Sequence, residues 1–413
     1  MSNKKLLVIG FTWPEPNATA AGNRMLQLLR FFSCQGYQIT FSSTASASSL
    51  SLDLEGIGIQ KAQIQLNDPS FDGFIKELQP NIVLFDRFLT EEQFGWRVAE
   101  YAPNALRILD TEDLHSLRKA REKAFKANVA CTTEFWLQTD LCKRELASIF
   151  RSDLSLIISS YEMKLLREMV KMDGANLLHL PFMLKPINSE VSNTWKPFEE
   201  RSYFICIGNG KHAPNVDAVL WLKTEIWPLI RKQLPNANLH IYGPYLPEQM
   251  LQLDNRKEGF LVQGWASDIK SVMQNAKVNL APLRFGAGLK GKLIDAMLNG
   301  TPSVTTYVGA EGMYDGLEFA GCLADDAQTF AETCVELFLN QTTWNAAQEN
   351  GFKIINSNYN AKAFEELLLT KIAEITEKLE KHRTQNIIGQ LLLHQSMAST
   401  KYMAKWIEEK NRA

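Results

Sequence analysis

Phe285-Gly-Ala-Gly-Leu-Lys-Gly-Lys-Leu-Ile-Asp-Ala-Met297 is the stretch on which the fold turns. The apolar run Val278-Asn-Leu-Ala-Pro-Leu283 precedes it and the tight turn Gly300-Thr-Pro-Ser-Val304 follows it. The order is therefore buried strand, glycine-rich turn carrying lysines, amphipathic helix, turn, next strand. Gly286, Gly288 and Gly291 let the backbone approach a ligand with no Cβ in the way. The helix start beyond them directs free N–H groups and the positive end of its dipole at the same spot, which favours an anion. Lys290 and Lys292 add full charges there. The simplest reading is a seat for the phosphates of a nucleotide. It matches neither a Walker motif nor a G-x-G-x-x-G fingerprint near a chain start. Glycine turns also occur in α/β proteins with no ligand, so the reading leans on the motif's place late in the chain, inside a second α/β unit.

Outward from this motif, the chain reads as two such units. Leu6–Gly10, Gln38–Ser42, Asn81–Phe85, Ala105–Asp110, Leu154–Ser159 and Ala175–Leu180 read as strands, with helical spacing at Met25–Cys34, Trp96–Tyr101 and most of Glu112–Phe150. Between Pro181 and Glu200 prolines and polar residues break the pattern. It resumes at Tyr203–Gly208, followed by helix Val216–Gln233, strands Asn238–Tyr242 and Phe260–Val262, helix Ile269–Ala276, strands Ser303–Thr306 and Gly321–Leu323, and helix Ala327–Asn340. Strand–helix alternation predicts parallel sheets covered on both faces. The expected organisation is an α/β chain with two Rossmann-like doubly wound domains facing a cleft, residues 1–183 and 203–360, a linker at 184–202 and a helical tail at 361–413. Ligands in such sheets bind beyond the carboxyl ends of the strands. The glycine loop and the loop Thr12–Gly22 would then face the cleft from opposite sides, a geometry suited to joining two molecules.

Bulk properties agree. At 413 residues there is length for two cores, and 45% apolar with 22% charged residues is ordinary for a soluble protein. A net charge of −2 with no basic block argues against nucleic acid as a partner. The six cysteines are scattered, with no C-x-x-C pair, which fits a reducing cytoplasm. Met1–Lys5 leads straight into a short strand, unlike a signal peptide, and no apolar run approaches a membrane span.

Ile205-Cys-Ile-Gly208 with Asn215, Tyr242-Gly243, Val262-Gln-Gly-Trp265, Ala281-Pro-Leu-Arg-Phe-Gly-Ala-Gly288, Lys292-Leu-Ile-Asp-Ala-Met297, Gly300-Thr-Pro302 and Gly309-Ala-Glu-Gly312 occur in that order. Together they resemble the donor domain of a GT-B fold glycosyltransferase, and more narrowly the retaining "group 1" family. Pro14–Gly22 and Ser160-Tyr-Glu162 are similar more weakly, and the likeness spans roughly residues 4–370. The resemblance implies a nucleoside-diphosphate sugar held around 286–292, a carbohydrate or lipid-linked acceptor against the first domain, and no cofactor. It places the basic diphosphate clamp at Lys211 and Lys292, with Lys290 close by, so that fixed cations rather than a metal stabilise the leaving group. The family carries two glutamates eight apart around this loop. Here the second is Asp295, suited to ribose hydroxyls, and the first falls at Ala287.

In the first half, Leu109-Asp-Thr-Glu-Asp-Leu-His115 gathers three carboxylates and a histidine after a strand. His115 and Asp113 are the catalytic candidates, although Asp110 and Glu112 also suit helix capping. Asp86-Arg87 ends another strand. Glu311 is a candidate contact to the sugar, and Gly22 and Trp13 belong to the acceptor-side loop, where Trp13 suits a core or hinge residue better than a sugar platform. Other histidines are isolated and without metal-ligand spacing. Ile387–Met397 and Tyr402–Ile407, flanked by lysines and arginines, suit packing, a homodimer contact or the inner face of an anionic membrane. Two rival readings stand: a nucleotide-sugar epimerase of the same fold, and a degenerate donor-binding partner subunit, motivated by Ala287. An NAD-dependent oxidoreductase lacks its fingerprint.

Overall fold

The computed structural model describes residues 4–394 together with 402, 403, 406 and 410. Residues Lys5–Gly10 (β1), Gln38–Ser43 (β2), Gln60–Gln63 (β3), Ile82–Asp86 (β4), Leu106–Asp110 (β5), Leu154–Ile157 (β6) and Leu177–His179 (β7) form a sheet in the order β3-β2-β1-β4-β5-β6-β7. A second sheet comprises Tyr203–Ile207 (β8), Leu239–Tyr242 (β9), Phe260–Gly264 (β10), Ala276–Ala281 (β11), Ser303–Thr305 (β12) and Gly321–Leu323 (β13), ordered β10-β9-β8-β11-β12-β13. All strand pairs in both sheets are parallel.

The central strands are buried on both faces, so they carry continuous apolar runs rather than alternation: Leu6, Leu7, Val8 and Ile9 are all shielded from solvent. In each sheet the order reverses beside the first strand, between β1 and β4 and between β8 and β11. Those switch points open the crevice in which such sheets bind ligands.

Strand β3 and helix Ser70–Leu78 were not expected. Gln-Lys-Ala-Gln has no apolar pattern because β3 is an edge strand, paired among the described residues with β2 alone. Strand β11 lies two residues earlier than its apolar run suggested. Pro282 has no N–H for the ladder, and the chain leaves the sheet there.

Two segments cross between the domains side by side. The Leu184 N–H donates to the Tyr359 carbonyl, and the Ala361 N–H donates to Leu184. Helix Ala361–Glu377 then returns to the first domain, where Leu368, Ile372 and Ile375 join the core around β1 and β2. Arg383 fixes the next turn, donating to Asp153 and to the Ala105 carbonyl. Helix Ile387–His394 lies against Asp140–Arg151 and leaves Ile387 and Leu391 exposed. Most of the tail expected to pack, dimerise or touch a membrane, including Lys401, Lys405 and Arg412, lies outside the described residues. Among the described residues no helix is long and apolar enough to cross a membrane.

Candidate functional site

A cleft of about 680 Å³ opens between the carboxyl ends of the two sheets, lined by both domains. On the second domain's side, the loops after β8 and β9 pack so closely that a Cβ on Gly243 would overlap the Gly208 carbonyl. Helix Gly291–Leu298 starts at the cleft. Lys292, in its first turn, is half-buried, and its ammonium donates to Asn215 Oδ1 at 2.7 Å. Burial pushes its pKa down, and no carboxylate pairs with it among the described residues. Lys290 is buried and donates to the Gly288 carbonyl at 2.6 Å. Burial lowers its pKa to about 8, against the opposing pull of Glu311. Asp295 also lines the cleft, and burial alone raises its carboxyl to about 7. Lys211 is exposed at the rim, its amine 3.6 Å from the centre of the Tyr245 ring.

On the opposite side, the ends of β4 and β5 carry two residues in the left-handed region, Arg87 at φ 69° and Glu112 at φ 63°. Neither is glycine, and each such backbone costs about 1–3 kcal/mol, a form of strain that collects at functional sites. Arg87, Glu112, Asp113 and His115 all line the cleft. Asp86 and Glu112 each keep a buried carboxylate oxygen without a hydrogen bond. Burial, reinforced by Asp110, raises the Glu112 pKa well above the usual range. Asp113 accepts from Arg118 at 2.6 Å, and this guanidinium overcomes burial to hold the carboxyl below its ordinary value.

The second Arg118 nitrogen lies 3.0 Å from His115 Nδ1. A guanidinium only donates, so Nδ1 accepts and the ring proton sits on Nε2. Burial, helped by Arg118, lowers the His115 pKa to about 4, so the imidazole is neutral near pH 7. Its backbone is fixed as well: Glu145 accepts from the N–H of His115 and of Ser116, at 2.8 and 2.9 Å, at the start of helix His115–Lys126.

Comparison with known proteins fits this arrangement. The sequence model described as "Glycosyl transferases group 1" matches residues 201–340. Those residues, about a third of the chain, are what the likeness to that family covers. The chain is also 23% identical over 163 residues to an "Uncharacterized 44.6 kDa protein in cps region" of Klebsiella pneumoniae, a match spanning 38% of this chain and 42% of that protein. Three solved structures share the whole architecture. Sucrose-phosphate synthase from Thermosynechococcus elongatus superposes with TM-score 0.68 at 15% identity, over 91% of this chain and 100% of that one. Anabaena HepE, solved with UDP and glucose, gives 0.64 at 10% identity over 90% and 100%. WaaG, a glycosyltransferase involved in lipopolysaccharide biosynthesis, gives 0.58 at 12% identity over 88% and 98%. The fold is GT-B.

Within this GT-B frame, the structure brings Lys211, Gly286, Lys290, Lys292 and Asp295 to the cleft opposite His115 and Asp113. Four other sequence candidates stand elsewhere. Glu311 pairs with Arg121 of the first domain at 2.6 and 2.8 Å instead of lining the cleft. Gly288, at φ 64°, is a contact between domains, where a Cβ would lie 2.8 Å from Asp113 Cβ. Gly22 has the backbone of Glu15 against it, so it serves close packing. Trp13 is core: it is 3% exposed, packs on Phe41 and donates its indole N–H to the Ala45 carbonyl at 2.7 Å. Trp13→Phe should therefore cost about 1–2 kcal/mol of stability, as expected for one lost buried hydrogen bond plus some packing, and leave ligand binding unchanged. Denaturant midpoints and a binding titration check both halves.

Sequence reasoning missed Arg118, Arg121 and Glu145, which lie in helices that read as ordinary amphipathic stretches. Their roles depend on partners far away in sequence. Glu162 was noticed only as part of Ser160-Tyr-Glu162, with no sign of what it touches.

Proposed function

We propose that the protein is a glycosyltransferase. It moves a sugar from a nucleoside-diphosphate sugar held by the second domain to a hydroxyl of a carbohydrate or lipid-linked acceptor held by the first, with retention and without a metal. The observation that carries this reading is Lys292, a half-buried cation bonded to a neutral amide and paired with no carboxylate among the described residues, at a helix start inside the cleft. A diphosphate supplies the missing negative charge and meets the helix dipole. Two GT-B neighbours support the classes of molecule, one solved in complex with UDP and glucose and one involved in lipopolysaccharide biosynthesis.

In the step, the bond from the sugar's anomeric carbon to the diphosphate oxygen breaks. A bond from that carbon to the acceptor oxygen forms on the same face, and the acceptor's proton passes to the departing phosphate. Charge accumulates on the leaving diphosphate, where Lys292, Lys290 and helix N–H groups are already in place and need no reorganisation. Lys211 reaches the same side from the rim. Asp295 would take the ribose hydroxyls. Neutral His115, with its proton on Nε2, would donate a hydrogen bond to the sugar or the acceptor rather than remove a proton.

A thermal-shift panel of UDP, GDP, ADP and CMP, with NAD as control, tests this directly. One nucleoside diphosphate should stabilise the protein, by about 2.7 kcal/mol at a hundred times its Kd. The shift should be the same with and without EDTA. Stabilisation by NAD alone, by none of the panel, or only in the presence of Mg²⁺ or Mn²⁺ would remove the proposal. Incubating the matching nucleotide sugar without acceptor separates transfer from epimerisation, since only an epimerase yields a new nucleotide sugar.

A further inference from the structure

The donor loop of this domain lacks the first of the family's two glutamates, and Ala287 stands in its place. The structure shows what holds the loop instead. Ala287 packs against the apolar cluster of the first domain. The residues on either side of it are pinned by side chains from that same domain. Arg121 donates to the Gly286 carbonyl at 2.8 Å, and the Gly288 N–H donates to Glu162 Oε1 at 2.8 Å. That same Glu162 oxygen also accepts from the Leu114 N–H at 2.9 Å. A single carboxylate oxygen thus joins the backbone of the donor loop to the backbone that leads into His115.

We propose that Glu162 is a positioning residue that sets the donor loop in register with His115 when the domains close. The proposal rests on the glycosyltransferase reading above and adds how the two halves of that site are aligned.

Three features support it. Glu162 is 1% exposed, yet its Oε2 has no hydrogen bond among the described residues, so the side chain carries a burial cost that core packing alone does not require. Gly288 has a positive φ and no room for a Cβ, so the loop reaches Glu162 in a single shape. The second pin is reinforced from the far side, because Arg121 is also paired with Glu311. Both pins cross the domain boundary, and opening the cleft would release them together. The donor's own contacts to Lys292, Asp295 and the helix start remain within one domain. Glu162 should therefore govern turnover far more than nucleotide affinity.

The test compares wild type with Glu162→Ala and Glu162→Gln in the full-length chain. Hydrogen exchange over residues 285–292 is measured first, without nucleotide. Loss of the acceptor in the alanine variant should speed exchange there about tenfold, while the Gln carbonyl, still able to accept both N–H groups, keeps it near wild type. With the nucleotide sugar that the panel selects, kcat should fall at least about tenfold in Glu162→Ala with donor KM within about threefold, and Glu162→Gln should restore most of it. Unchanged exchange and kcat in Glu162→Ala would overturn the proposal. So would a Gln variant as slow as the Ala variant, or a loss of kcat that only follows a lowered unfolding temperature. Should the wild type bind no nucleotide, the glycosyltransferase reading fails, while the exchange comparison still decides whether Glu162 orders the loop.

Discussion

Lys292→Ala should weaken nucleoside diphosphate binding about a hundredfold, equivalent to roughly 3 kcal/mol, while moving the unfolding transition little. The asymmetry follows from its surroundings. Lys290 sits among Glu311, Glu162 and Asp113, and its amine is already bonded to the Gly288 carbonyl. Among the described residues Lys292 bonds to Asn215 and pairs with no carboxylate, so its charge is half-buried and without an anionic partner. Removing it relieves that cost and leaves one amide oxygen without a partner, two small effects on folding of opposite sign. In the complex, however, the same ammonium is desolvated against a diphosphate, where truncation of a charged partner costs about 2–5 kcal/mol. Calorimetric titration of wild type and variant with the nucleoside diphosphate that binds is the measurement. Equal affinities would remove the donor site from this helix start.

The pH dependence has a definite sign. Burial brings Lys290 to about 8, so this cation begins to be lost above neutrality, and burial lowers Lys292 in the same direction. A bound anion holds the protons on. Affinity should therefore be greatest below pH 8 and decline as the pH rises beyond it.

Much of this was legible in the sequence, and for identifiable reasons. Buried parallel strands leave unbroken apolar runs such as Leu6–Ile9 and Phe204–Cys206, and glycine turns with lysines mark where those strands end. Gly286, Lys290, Lys292 and Asp295 were expected at the cleft and line it, because strand, glycine turn and helix start are contiguous in the chain, whereas Lys211 was placed there only by the family resemblance. Edge strand β3 left no pattern because half its surface is wet. Trp13 stands in the core, as its reading as a core or hinge residue expected, although a tryptophan in a proline-rich loop looks the same whether it faces a ligand or a core. Glu311 was placed correctly in its loop, but its partner Arg121 lies 190 residues earlier, and nothing local announces an ion pair across domains. The same is true of Glu162 and Gly288. What the sequence hides here is the set of contacts that exist only when the two domains meet.

His115→Ala should lower turnover by about 10²–10³ while leaving nucleoside diphosphate affinity within about threefold, because the side chain lies across the cleft from the cations and, in the proposed reaction, would act on the reacting sugar. Its role is set by Arg118. That guanidinium, bonded to Asp113, presents a donor to Nδ1, so the imidazole has no basic nitrogen free and keeps a proton on Nε2. With burial and Arg118 holding its pKa near 4, the ring is neutral throughout the range in which an ordinary histidine titrates. A general base of normal pKa would give kcat an inflection near 6.5. His115 acting as a neutral donor gives none of its own between about pH 5.5 and 8. His115→Gln, which retains an N–H donor of similar reach, should recover part of the rate, whereas a base could not be replaced in this way. Full activity in His115→Ala would reduce the residue to structure. An inflection near 6.5 that disappears in the same variant would instead make it the base and contradict the tautomer that Arg118 imposes.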